Sequence, residues 1–302
     1  MTWREASRKE VNQYYHEEFP EYAGHLPSFL TNGHPKELGI ELEPAHPIKK
    51  GEASTRSFIR RDTYATDSEG NKQWQLINSF GPEHESGRNP TEILQDPAGN
   101  DPADSNYKLV HPDVVPNRPN PVPKTVYASL DNWDRPRVTA VDIDAKDVAL
   151  ERANTSNVTP NEDETTEQAT LREAGILDGE PQGFYYEFQD IQQAISYGFQ
   201  VAGIFESNYN SEATQVVYSG QGAHVYLLDS DPYHRYDEPA RKVIAADLQE
   251  NHTIPIDEAV TIQENRLLRV PYTLHAGVSR IVTPIDEPGF DFRTQAKPKY
   301  LT

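Results

Sequence analysis

At 302 residues the chain is long enough for one large domain or two ordinary ones, and its 0 cysteines exclude a disulfide framework, a thiolate nucleophile and a Cys-ligated zinc. Its 28 basic and 48 acidic residues give a net charge of −20, with only 11 Lys against 17 Arg. Such a balance fits a well-solvated surface, a basic partner or adaptation to molar salt, and the even spread of acids along the chain favours salt adaptation. Charge alone disfavours nucleic-acid binding, whose usual footprint is a basic patch. The apolar runs fall far short of the roughly 20 residues of a membrane helix. The N-terminal Met-Thr-Trp-Arg-Glu-Ala lacks a signal-peptide core, so a soluble, cytoplasmic protein is expected.

In chain order, Val11, Tyr14, Tyr15 and Phe19 recur at helical spacing, and residues 39–43 and 56–60 alternate like short strands. Residues 81–124 hold 9 of the 24 prolines and read as a long loop; residues 151–180 form a second, acidic gap with one helix-like piece near 166–174. Both read as insertions in a single domain spanning 1–302, since neither flank looks self-sufficient. Val138–Asp144 predicts a strand with apolar residues on both faces. Phe188, Ile191, Ile195, Phe199 and Ala202 predict a helix. Thr214–Tyr218 and Ala223–Leu228 predict two strands joined by a Ser-Gly-Gln-Gly turn, and Asp237 predicts the cap of a helix running to about Glu250. Ile254–Asp257 and Arg280–Ile285 are further strand candidates. The pattern is a mixed α/β (α+β) chain without internal repeats.

Three segments can carry chemistry. In Val141-Asp142-Ile143-Asp144, side chains two apart on a strand share a face, so two carboxylates converge while Val141 and Ile143 pack behind them. Paired carboxylates suit hard cations such as Mg²⁺ or Mn²⁺, although an exposed strand face in so acidic a chain produces Asp-x-Asp by chance as well. In Ser219-Gly220-Gln221-Gly222-Ala223-His224 the glycines allow close backbone approach to an anion, and His224 supplies a donor; an ordinary Gly-rich hairpin has the same composition. Ile256-Asp257 is followed by Arg266-Leu-Leu-Arg269, Pro271 and His275. Arg266 and Arg269 share a face if this stretch is helical, and either a polyphosphate or nearby carboxylates would account for the cluster.

In this order and spacing the three segments resemble the small catalytic subunit of archaeal and eukaryotic replicative primase. That family shows an apolar run ending Asp-x-Asp, then Ser-Gly followed by His, then an apolar residue and Asp. Nine residues later comes a basic-Leu-Leu/Ile-basic run, then Pro, His and a final strand. Arg266–Arg269, Pro271, His275 and Arg280–Ile285 follow that order here, and looser similarity extends to Tyr14-Tyr15, Phe58-Ile59-Arg60 and residues 122–127.

The resemblance implies the archaeo-eukaryotic primase catalytic fold, with mixed β-sheets flanked by helices, and nucleotidyl transfer on a DNA template. Asp142, Asp144 and Asp257 would be the catalytic metal ligands for two Mg²⁺ or Mn²⁺ ions. Ser219, His224, Arg269, His275, Arg266 and Arg60 would bind the incoming nucleotide. Implied partners are single-stranded DNA, nucleoside triphosphates and a primase large subunit or replicative helicase. The chain departs from the family in having Gln221 where the second motif usually carries Arg, in a turn one residue shorter. It also lacks the Cys of the family's zinc knob, so no zinc is expected. The shortened turn also occurs in plasmid, viral and end-joining relatives. A primer-extending repair polymerase and a catalytically silent nucleic-acid-binding relative are therefore the alternatives.

Overall fold

The computed structural model describes residues 4–31, 35–43, 58–62, 64–66, 72–74, 122–132, 137–155, 186–228 and 236–301. In chain order the elements used below are helix α1 (Arg8–Gln13), α2 (Phe19–Tyr22) and α3 (Ser28–Thr31), then strands β1 (Glu37–Glu43), β2 (Phe58–Asp62), β3 (Tyr64–Thr66), β4 (Lys72–Trp74), β5 (Val122–Ser129) and β6 (Ala140–Asp144). They continue with α4 (Ala145–Thr155), α5 (Phe188–Asn208), β7 (Thr214–Tyr218), β8 (Gly222–Leu227), α6 (Glu238–Ala246), α7 (Glu258–Ile262), β9 (Leu267–Arg269), β10 (Thr283–Ile285) and α8 (Phe292–Gln295). The fold is mixed α/β, with four-stranded sheets in the orders β2-β1-β5-β9 and β10-β7-β8-β6 and a small β3-β4 ribbon.

The chain separates into two compact units, neither continuous in sequence. The first comprises Met1–Arg4, Thr139–Gln263 and Pro284–Asp291; the second comprises Glu5–Val138, Glu264–Thr283 and Phe292–Thr302.

In the first unit β8 is the central partner, antiparallel to both β6 and β7. Directly opposite residues share a sheet face, so Val141 and Ile143 lie with Val225 and Ala223 on one face, and Asp142 and Asp144 with His224 and Gly222 on the other. The apolar face takes α5, whose Gly198 sits so close that an added Cβ would lie 3.1 Å from Val216 Cγ1 and 3.2 Å from Ala223 Cβ. Ile191, Ala194, Ile195 and Val201 of this helix are fully buried, as its helical spacing predicts. Glu187 and Asp190 form a reciprocal capping box at its start. Asp237 caps α6 by accepting from the Ala240 amide, and the helix widens into a π turn at Asp247–Asn251.

The second unit is built on β1, paired antiparallel with β2 on one side and β5 on the other. Ser7 and Glu10 form the capping box of α1, after which the chain runs through a π turn, Tyr14–Glu18, into α2. Val11, Tyr14, Tyr15 and Phe19 are buried together with Leu274, Ile281 and Leu301. The stripe read as a helical face is thus this unit's core.

Several expectations change. Residues 122–124 belong to β5 and 151–155 to α4, so both gaps are shorter than 81–124 and 151–180; what remains of them, with the piece near 166–174, lies outside the described residues. Arg266–Arg269 is not helical: β9 pairs with β5, Arg269 facing Tyr127 in register, because the β-sheet edge satisfies the backbone of this short apolar run. Ile254–Asp257 forms no strand. It runs extended into α7, and only the Asp257 amide bonds to β6, at the Asp142 carbonyl (2.9 Å). Of Arg280–Ile285 only Thr283–Ile285 is strand, preceded by a single bridge between Leu274 and Ile281.

Candidate nucleotidyl-transfer site

The first unit brings together five of the residues singled out in the sequence. Asp142 and Asp144 project from the same face of β6, Asp142 nearly buried and Asp144 a quarter exposed. The hydrogen bond that the Asp257 amide donates to the Asp142 carbonyl places the third acidic residue beside that strand. Asp257 is the N-cap of α7, its Oδ1 accepting from the Ala259 amide at 2.9 Å.

His224 stands directly across from Asp142 on β8. Its ring is fully buried, with Nε2 3.4 Å from Asp142 Oδ1 and Nδ1 3.4 Å from the Tyr226 hydroxyl. The turn before it is tight for identifiable reasons. Gly220 adopts φ 105°, and a Cβ on Gly222 would lie 2.0 Å from the Ile143 carbonyl oxygen. The Gln221 carbonyl accepts from the Ala145 amide at 2.9 Å, which fastens the turn to the start of α4. Tyr218 donates its hydroxyl to the Gly220 carbonyl at 2.6 Å. Ser219 is completely buried, and among the described residues its hydroxyl has no hydrogen-bond partner. A buried hydroxyl left in that state invites a ligand acceptor.

Two charged neighbours were not singled out in the sequence. Lys146 Nζ lies 2.8 Å from Asp144 Oδ2. Burial alone would lower its ammonium, but the bond to Asp144 and the charges of Asp144, Asp147 and Asp142 raise it above the ordinary lysine range. Burial pushes the Asp147 carboxyl up; Lys146 opposes the rise, while Asp144 and Asp257 add to it. The signal was present in Asp142-Ile-Asp-Ala-Lys-Asp147: once the helix begins at Ala145, position 147 turns back toward the strand end.

Among the described residues no three His, Asp or Glu side chains form a ready-made metal cage. Lys146 pairs with Asp144 and the α7 amide donates to Asp257, whereas Asp142 Oδ1 faces His224 Nε2 at 3.4 Å without a hydrogen bond between them. The donor set nonetheless suits a hard divalent cation, since it consists of carboxylate oxygens on adjacent segments without thiolates.

The basic candidates belong to the second unit. Arg269 is half-buried, with its guanidinium 5.5 Å above the centre of the Tyr127 ring. Arg266 is half-buried, and its carbonyl accepts from the Leu130 amide at 3.1 Å. Arg60 pairs with the Glu37 carboxylate and donates to the Asn265 carbonyl at 2.6 Å. His275 is buried in a turn where its Nδ1 accepts from the Gly277 amide at 3.0 Å and its own amide bonds to the Arg280 carbonyl.

No family model matches the chain. A protein of Archaeoglobus fulgidus described as an uncharacterized DNA primase small subunit-like protein is 37% identical over 90 residues, which is 29% of this chain and 31% of that protein. The DNA primase small subunit PriS of Halorubrum lacusprofundi is 48% identical over 48 residues, 16% of this chain and 12% of that protein. The matches thus span under a third of either relative. Among solved structures, the polymerase domain of Mycobacterium tuberculosis ligase D in complex with DNA aligns with 96% of this chain and 90% of its own, at 11% identity and a TM-score of 0.45. Among the described residues no helix is long and apolar enough to cross a membrane.

Proposed function

We propose that this chain is a DNA-dependent primase or primase-polymerase, a nucleotidyltransferase that adds nucleotides from NTPs or dNTPs to a strand growing on a single-stranded DNA template. The observation that carries the reading is the placement of Asp142, Asp144 and Asp257 at one strand end, beside a glycine-constrained turn with a buried, unsatisfied Ser219 hydroxyl. The partial similarity to two archaeal proteins named for the primase small subunit supports it.

In this reading Asp142, Asp144 and Asp257 hold two Mg²⁺ or Mn²⁺ ions. Bound there, such ions would align the attacking 3′ oxygen and offset charge developing on the α-phosphate. The protein's own residues do the rest. Lys146, which pairs with Asp144 at 2.8 Å, would be available to a phosphate oxygen if that carboxylate were taken by a cation. The Ser219 hydroxyl donates to a phosphate of the incoming nucleotide, and Gly222, lacking a Cβ, keeps the turn close against β6. Asp257 remains anchored through its backbone amide whatever its carboxylate binds. Arg269, stacked on Tyr127, is the basic residue best organised to meet phosphate, whereas Arg60 is already matched by Glu37.

Incubating the protein with single-stranded template, labelled nucleotides and Mg²⁺ or Mn²⁺, with and without primer, tests the reading. Template-dependent incorporation is expected. Product without primer marks a primase; product only with primer marks an extending polymerase.

A further inference from the structure

We propose that the cleft between α4 and α5 is a docking pocket for the guanidinium of an arginine side chain carried by a partner polypeptide. None of the residues assigned to catalysis takes part in it.

The cleft lies within the first unit and has a volume of about 370 Å³. One wall is Val148, Glu151 and Arg152, which share a face of α4 at i, i+3 and i+4. The other is Gln189, Gln193 and Tyr197, each four residues after the last along α5. Val148 and the neighbouring Asp190 are buried, Glu151 and Tyr197 are half-buried, and Gln189, Gln193 and Arg152 are exposed.

The polar groups of this lining are unevenly matched. Arg152 is already engaged: its Nη2 lies 2.9 Å from Asp190 Oδ2, the same oxygen that accepts from the Glu187 amide at 2.8 Å. Gln189 donates its Nε2 to Glu187 Oε2 at 2.8 Å, which leaves its side-chain oxygen to accept. Glu151 differs, because among the described residues its carboxylate has neither an ion pair nor a hydrogen bond. Burial pushes that carboxyl up, and its charge adds to the rise that burial gives the Tyr197 phenol.

Open acceptors and one uncancelled negative charge decide the class of occupant. An anion would meet Glu151 and find Arg152 taken. A guanidinium carries five N–H donors in a planar fork, enough to serve Glu151 and the side-chain oxygens of Gln189 and Gln193 together, whereas an ammonium is a compact point charge. A site for a free small molecule encloses most of its ligand, but three exposed residues on this rim leave room for a side chain whose backbone stays outside. Arginine is a common anchor of protein interfaces, and a net charge of −20 draws basic surfaces toward this one.

The test is saturation-transfer NMR of N-acetyl-arginine amide with the purified full-length protein in about 0.5 M KCl, where the long-range field of the acidic surface is screened. Saturable binding to wild type is expected, with a dissociation constant at least about threefold weaker in Glu151→Gln, the scale of one partly exposed ion pair. N-acetyl-citrulline amide keeps the shape without the charge, and N-acetyl-lysine amide keeps the charge without the fork; each should bind at least about threefold more weakly than the arginine probe. Glu250→Gln, which removes an exposed carboxylate from the π turn of the same unit, should change nothing. Absence of saturable binding to wild type overturns the pocket. Equal losses in Glu151→Gln and Glu250→Gln overturn it too, since the attraction would then belong to the acidic surface at large. Parity of the lysine or citrulline probe with arginine refutes the guanidinium assignment.

Discussion

The acidic face of β6 and the basic residues of β2, β9 and the turn at His275 are held in opposite ways. On β6 each Asp alternates with a fully buried Val or Ile, so the carboxylates are carried by a sheet whose other face is sealed by α5. The basic residues stand on β2, on the three-residue β9 and in a turn, and their own surroundings engage them: Arg60 by Glu37, His275 by a backbone amide, Arg269 by an aromatic ring. The sheet is expected to stay folded when a carboxylate is neutralised but not when bulk is added at its close backbone contacts. The following changes break or sharpen that contrast.

The largest effect belongs to the carboxylates. Asp142→Asn, Asp144→Asn and Asp257→Asn are each expected to cut nucleotide incorporation by at least a thousandfold while melting within a few degrees of wild type. Neutralising one member of an acidic cluster relieves repulsion, and Asn at 257 still caps α7. A single-turnover assay beside a thermal melt checks both halves. Near-normal incorporation by any one of the three removes it from the ligand set.

Next come the glycines of the same sheet. Gly222→Ala drives a Cβ against the Ile143 carbonyl, which cannot retreat without breaking the β6–β8 register, and is expected to cost about 3 kcal/mol. Gly198→Ala meets only side-chain atoms at 3.1 and 3.2 Å, and gains up to about 1 kcal/mol of helix propensity, so its net cost should stay below about 1 kcal/mol. Urea unfolding of the two variants measures the difference; equal losses would mean that β6 is not held as tightly as described.

Arg269→Ala should raise the nucleotide KM about ten- to a hundredfold, in line with roughly 1.5–3 kcal/mol for a charged hydrogen bond, while leaving template affinity largely intact. Arg60→Ala should raise it less than threefold, since Glu37 already engages that guanidinium. If the two variants were equal, the stacking on Tyr127 would have no functional weight.

The smallest effect is at the start of α6. Asp237→Ala removes the acceptor for the Ala240 amide and should cost about 1 kcal/mol in a denaturant titration without changing incorporation.

The same contrast explains what could be read beforehand. Period-2 alternation around Asp142 and Asp144, the Ser-Gly-Gln-Gly turn and the Asp237 cap are local signals, and each gave its element within a residue or two. The pairing of β6 with β8 is not local, and it alone sets His224 against Asp142. Arg266 and Arg269 share a face only if their segment is helical; two arginines flanking two leucines fit either period, and the edge of β5 decides for a strand. Asp257 was read as a strand end, whereas its side chain starts α7, a choice made by the one hydrogen bond to β6. The division into two units, each built from separate stretches of chain, has no compositional signature.

The central claim is that an acidic strand end in a chain of net charge −20 performs metal-dependent synthesis on a polyanionic template. Long-range repulsion between that surface and DNA is screened as the Debye length falls from about 8 Å at 0.15 M salt to about 3 Å at 1 M, while close contacts are screened less. The decisive measurement is labelled nucleotide incorporation on a primed single-stranded template with Mn²⁺, from 0.1 M to 2 M KCl, against Asp142→Asn and a chelator control. The account predicts template-dependent product that rises toward molar salt and disappears in both controls. It is contradicted if no product forms at any salt concentration, or if Asp142→Asn makes as much product as wild type.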